Sequence, residues 1–298
     1  MNISGLSGMS YLIFNDQENH KIKNKKVVLM HDVHSGVEYC SNLDNSIDVS
    51  DFFKNINISN QILLEESVKG NAKLTDLWPD AKHTQELKKL ALNNLENLEV
   101  VDIRPYLIPF SWELLETKKE KKLTDKKFKD YLEPLNNFFN KKGSLYKNHV
   151  EDKKVLDKFF KDKVCEQLDD LKLLFTHYKE NNNKLLKENL LYVFKNNLAT
   201  LHKLNDILSC LMEWYTILLL FTTDRETSIV HVGLAHSTRI KNILIKRYKF
   251  KLEDEQGITH LKNLNLDSKK INSCVFLPKD IHNVLRNNNF NKKFGFYN

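Results

Sequence analysis

Val27-Val28-Leu29-Met30-His31-Asp32-Val33-His34 is the stretch that decides the fold. Its four leading residues form an unbroken apolar run. That is how a strand buried on both faces of a parallel sheet reads. The polar group His31, Asp32 and His34 follows at once, at the carboxyl end of the run. In open parallel sheets ligands bind beyond that end of the strands. The arrangement recurs late in the chain, where Ile229-Val230-His231-Val232 runs into Gly233-Leu234-Ala235-His236.

On either side of this strand, strand and helix signals alternate. Tyr11-Leu12-Ile13-Phe14 and Ile62-Leu63-Leu64 are short apolar runs, and Leu98 to Ile103 reads as a further strand stopped by Arg104-Pro105. Asp48 to Ile56 has helix character with Asp48 or Ser50 as its cap. Thr84 to Leu95 places Leu87, Leu90, Leu92 and Leu95 at helical spacing, and Thr238 to Tyr248 separates Ile240, Ile243, Leu244 and Tyr248 from a basic face. Cys274 to Leu277 reads as a last strand. Strands separated by helix-length segments predict an α/β fold with a mostly parallel central sheet flanked by helices. Between Lys126 and Phe221 the spacing is helical almost throughout, which predicts a large helical insertion in the middle of the chain. The expected organisation is residues 1–117 as the first half of the α/β core, 118–225 as a helical insertion or cap, and 226–298 as the second half. Such a block is suited to covering a site or binding a protein partner.

Composition narrows the function. The chain has 298 residues, 41% hydrophobic and 29% charged, which is a globular balance rather than a disordered one. The net charge of +7 is small against 46 basic and 39 acidic residues. The densest basic stretch, Lys118 to Lys122 with Lys126, Lys127 and Lys129, encloses only Phe128, so it reads as a solvated face and disfavours nucleic acid as a partner. The four cysteines form no C-x-x-C pair and read as reduced, buried thiols. The N-terminus lacks the basic and apolar regions of a signal peptide. The longest apolar run, Trp214 to Phe221, falls short of the roughly 20 residues that span a membrane. The expectation is a cytoplasmic or otherwise intracellular chain with no membrane span. Phosphate-cradling glycine loops are missing, as are Gly-x-Ser-x-Gly and His-Glu-x-x-His, which disfavours nucleotide chemistry, elbow-type serine hydrolases and the common zincins.

Polar residues recur at the predicted strand ends: His31, Asp32 and His34; then Glu65 and Glu66; then Arg104 and Tyr106; then Gly233 and His236. Taken one at a time, each reads as an ordinary packing or capping side chain. The recurrence is what points to a site. Imidazoles and carboxylates converging from separate strands suit a divalent ion such as zinc or manganese, with His34, His236, His31 and Glu65 as candidate ligands. Glu65 or Glu66 is placed to ligate or to act as general base, Asp32 to orient a histidine, and Arg104 to hold a substrate carboxylate or a developing oxyanion.

At these residues the chain resembles the group that contains TraB and Tiki-type proteins, ChaN-like haem-binding lipoproteins and erythromycin esterase-like proteins. That group carries Gly-x-x-His or Gly-Glu-x-x-His after its first core strand, a glutamate at the end of the next, and a second Gly-x-x-His after a helical middle region. Val232-Gly233-Leu234-Ala235-His236 resembles the late motif, Leu64-Glu65-Glu66 the acidic strand end, and His31-Asp32-Val33-His34 the early motif. Arg225 resembles an arginine that precedes the late motif in TraB-like members. The early glycine is His31 here, which leaves two readings open: an added ligand, or a site that keeps the fold without its chemistry. The resemblance implies metal-dependent hydrolysis of a peptide or ester substrate. The alternatives are an inactive interaction protein that uses its helices, and a haem-binding module using His34 or His236.

Overall fold

The computed structural model describes residues 1–14, 24–33, 37–38, 46–65, 85–93, 95–107, 127–143, 146–147, 173, 176, 187–189, 192–193, 198–264, 271–272 and 274–285. In chain order the elements begin with strands β1 (Asn2–Ser4), β2 (Gly8–Phe14), β3 (Lys25–Asp32), β4 (Val37–Glu38) and β5 (Ser46–Asp48). Helix α1 (Val49–Lys54), β6 (Gln61–Leu64), α2 (Gln85–Leu92) and β7 (Leu98–Val100) follow. Then come α3 (Arg104–Leu107), α4 (Phe128–Phe139) and α5 (Leu198–Thr222). The chain continues with β8 (Thr227–Gly233), α6 (Leu234–Tyr248), β9 (Lys251–Gly257), β10 (Ile271–Asn272), β11 (Cys274–Phe276) and α7 (Lys279–Leu285). Two compact units result: Met1–Glu66 with Ala81–Val101 and Thr223–Asn298, and Ser67–Asp80 with Asp102–Thr222.

The first unit is built on a six-stranded sheet in the order β7-β6-β8-β3-β2-β9. β7, β6, β8 and β3 run parallel, and β2 and β9 close one side antiparallel. The α/β class and the mostly parallel sheet follow directly from the unbroken apolar runs. β6 and β8 are buried at every position, and β3 at all but Lys26, because helices or further strands cover both faces. On one face Ile62, Ile229 and Val28 form a row, and Leu64, His231 and Met30 the next. Phe52 and Phe53 of α1, Leu87 and Leu90 of α2, and Ile281 of α7 belong to the same core. Each fully buried Val, Leu, Ile or Phe there contributes about 1.5–3 kcal/mol. On the opposite face α6 packs on β3 and β8. Asp48 caps α1, its carboxylate accepting the Ser50 N–H at 2.8 Å.

Three elements depart from expectation. The strand from Leu98 ends at Val100, and Arg104-Pro105 opens a short helix instead of only ending a strand; proline is tolerated in a first helical turn, where its missing N–H has no helical partner to lose. α6 begins directly at Leu234. β9, Lys251-Leu252-Glu253-Asp254-Glu255-Gln256-Gly257, carries no apolar alternation because it is an edge strand, where charge guards against unwanted pairing.

In the second unit the described elements of residues 102–222 are helices, with one isolated bridge between Lys127 and Asn189. α4 buries Phe128, Tyr131, Leu132, Leu135 and Phe138 along one stripe. Phe138 meets Trp214 of α5 edge-on, with ring centroids 6.0 Å apart. The apolar run noted at Trp214 to Phe221 is part of a longer helix. Its stretch Leu201–Thr222 is long and apolar enough to cross a membrane by length and composition, and most of it is buried inside the protein.

The cysteines correct the sequence reading. Cys210 and Cys274 are disulfide-bonded, and no cysteine among the described residues is free. Pairing depends on Cα separation across the fold, to which sequence spacing is blind. Iodoacetamide labelling of the denatured, unreduced protein should leave Cys210 and Cys274 unmodified by peptide mass mapping, and prior reduction should expose both. Labelling of either one before reduction would contradict its oxidised state.

Candidate functional site

The parallel register brings the carboxyl ends of β3, β8 and β6 side by side. Asp32 pairs with Gly233, and His31 with Val232. Leu64 pairs with His231, so Glu65 lies one step beyond, its N–H donating to the His231 carbonyl at 3.0 Å. The strand ends that carry Glu65 and Gly233 are therefore adjacent.

The meeting point is a strand-to-helix junction without a loop. Gly233 is at once the last residue of β8 and the N-cap of α6, and it supplies no side-chain cap. Glu65 fills that role from the neighbouring strand: its Oε2 accepts the Gly233 N–H at 2.5 Å. A carboxylate at a helix N-terminus also gains from the helix dipole. The other oxygen, Oε1, lies 3.4 Å from Nε2 of His236, one turn into α6. The two side chains are 9% and 12% exposed, so they are sheltered and still reach solvent. Two ligands about 2.0–2.1 Å from one tetrahedral zinc stand roughly 3.3–3.4 Å apart. Glu65 Oε1 and His236 Nε2 therefore fit two positions of a shared divalent ion.

His31 occupies a different environment. Its ring is fully buried between two hydroxyls, with Ser10 Oγ 2.8 Å from Nε2 and Ser237 Oγ 2.5 Å from Nδ1. Ser10 Oγ donates onward to Glu255 Oε1 at 3.0 Å, and Lys241 Nζ binds the same carboxylate oxygen. Burial pushes the Glu255 carboxyl up, but hydrogen bonds from Lys241 and Ser10 and the Lys241 charge outweigh it and hold it below the usual range. An ionised Glu255 can only accept, so the Ser10 proton points to it. His31 Nε2 must then carry the proton that Ser10 accepts, and bare Nδ1 accepts from Ser237, whose Oγ is 2.5 Å from Nδ1 and a longer 3.1 Å from its other acceptor, the Leu234 carbonyl. Burial first, and the nearby Lys241 charge second, push the His31 ring down to about 3. It is neutral, with both nitrogens engaged.

The remaining expectations sort by position. Asp32 is buried at the end of β3. Arg104 belongs to the second unit, where its guanidinium grips the Asp102 carboxylate through Nε at 2.7 Å and Nη2 at 3.1 Å. Arg225 offers its backbone carbonyl to Lys25 Nζ at 2.7 Å. His34 and Glu66 lie outside the described residues, among which no three His, Cys, Asp or Glu side chains group as a metal-ligand set. Sequence reasoning missed Ser10, Ser237, Lys241 and Glu255. The one available signal was that Ser237 and Lys241 are four residues apart, hence on one face of a helix.

The neutral His31 gives a pH dependence of defined sign. Its folded value near 3 lies below the ordinary 6.5. Between those values the unfolded chain binds a proton that the folded chain does not, so stability falls as the pH drops through the window. The deficit is about 2 kcal/mol at pH 5. Denaturant melts of the protein and of His31→Gln at pH 7 and pH 5 should show this loss in the former only. An equal loss in both would contradict the assignment.

Comparisons with protein-family models, curated proteins and solved structures returned no match for this chain.

Proposed function

We propose that the chain is a metal-dependent hydrolase of a peptide or ester bond, acting where Glu65 and His236 meet. The observation that carries this reading is the 3.4 Å approach of Glu65 Oε1 to His236 Nε2 at the carboxyl end of a parallel sheet. The resemblance of the two histidine motifs and the acidic strand end to TraB/Tiki-type and erythromycin esterase-like proteins points the same way.

In this reading His236 Nε2 and Glu65 Oε1 would hold a zinc or manganese ion. The chemistry such an ion would supply is a lowered pKa for a bound water and polarisation of a substrate carbonyl. The chain supplies the geometry. The Gly233 N–H ties down one Glu65 oxygen, which fixes the direction of the other. α6 presents His236 rigidly because its first turn grows straight out of β8. Asp32, beside Gly233 in the register, adds an acidic group at the same edge.

Zinc and manganese titrations followed by calorimetry should show one bound ion per chain, lost in Glu65→Gln and in His236→Ala. Hydrolysis of a fluorogenic peptide pool and of p-nitrophenyl esters should fall on the order of a hundredfold or more in both variants. A wild-type protein that binds neither ion and cleaves neither substrate class would refute the proposal.

A further inference from the structure

The buried polar groups around His31 close into a ring. Ser10 and Glu255 sit directly opposite one another across β2 and β9. His31 reaches Ser10 diagonally from β3, since Ser10 pairs with Leu29, two residues before it. These three residues form a polar row across three adjacent strands. Ser237 and Lys241, one turn apart on α6, contact its two ends: Ser237 meets His31, and Lys241 meets Glu255. Lys241 Nζ is further held by the Thr259 carbonyl and by His260 Nε2, each at 3.2 Å. Ser10, His31, Ser237 and Lys241 are each at most 1% exposed. A ring this deep within an otherwise apolar interface specifies one docking of α6 on the sheet, because any slip leaves several buried groups unpaired at once.

The ring's position gives it a further consequence. Ser237, which grips His31, directly follows His236. His31 itself is paired with Val232, one residue before the Gly233 N–H that holds Glu65. The first turn of α6 is therefore fixed from two sides, by Glu65 on one and by His31 on the other.

We propose that His31 is a positioning residue, clamping the first turn of α6 through Ser237 so that His236 Nε2 faces Glu65. The metal readout of this role rests on the hydrolase reading above. A residue at the place where the resembling group carries glycine is thereby given a task that glycine could not perform. The side chain neither reaches the substrate nor ligates, since both ring nitrogens are engaged by serine hydroxyls.

The test compares the wild-type chain with His31→Leu, His31→Gln and Ser10→Ala, at a temperature where all four keep the same far-ultraviolet circular dichroism. Cobalt(II) serves as probe, read by its visible d–d absorption and dissociation constant, and the His236 ring resonances are followed in metal-free protein. His31→Leu should weaken cobalt binding about 10- to 100-fold, as loss of an orienting partner does, and should shift the His236 resonances. His31→Gln, which keeps a donor and an acceptor, should recover part of both. Ser10→Ala should act in the same direction, because Ser10 holds the far side of the His31 ring. A fall in melting temperature with unchanged cobalt affinity, spectrum and His236 resonances would overturn the proposal. If the wild-type chain takes no cobalt, the hydrolase reading fails. The resonances then decide alone: shifted in His31→Leu, they support the clamp; unshifted, they refute it.

Discussion

One oxygen of Glu65 accepting the Gly233 N–H at the end of β8 is the contact on which the rest depends. A parallel strand that becomes a helix without a loop leaves the first helical N–H groups without partners. Here the partner comes from the adjacent strand, so the cap works only if β6 and β8 hold their register. The same contact spends one carboxylate oxygen on the backbone and aims the second at His236. Capping and site geometry are two outcomes of one hydrogen bond.

The neighbouring ring through His31, Ser10, Glu255, Lys241 and Ser237 follows a related logic with a larger polar share. Buried charges and hydroxyls contribute little net stability when paired, and removing one member costs more than its pairing gained, because the partner stays buried. Such a ring therefore acts on specificity of packing more than on total stability. The apolar rows on the other face, built on Val28, Met30, Ile62, Leu64 and Ile229, stabilise by burial instead. Both faces of the sheet are apolar, with Val27, Leu29, Val230, Val232, Ile240 and Leu244 buried on the side of α6, and the polar ring aligns that second face.

The two faces differ in how visibly they are written in the chain. β3, β6 and β8 were legible because burial on both faces forces continuous apolar runs. β9 was not, since an edge strand of this kind derives its pairing from backbone groups and keeps charged side chains such as Lys251, Glu253 and Asp254 at the surface or half-buried. Glu255 belongs to that same segment and so was hidden with it. The strand-end residues Glu65 and His236 were legible as a recurrence of polar groups after apolar runs. Arg104 looked equivalent to them, but it lies in the other unit and is engaged by Asp102. His31 looked like a ligand because its place in the chain matches one. Its ring faces Ser237 and Ser10 because His31 packs beneath α6 between β2 and β8.

By itself the sequence determined the class of fold, the order of its central strands along the chain, and the fact that imidazole and carboxylate groups follow them. These are properties of hydrophobic periodicity, which acts locally. The tertiary structure alone decided that β8 lies between β6 and β3, that Glu65 and His236 face each other at 3.4 Å, that His31 is locked in a neutral ring, and that Cys210 and Cys274 are oxidised. Each of those depends on which distant residues become neighbours, and strand order and helix docking set that, not the spacing of residues along one segment.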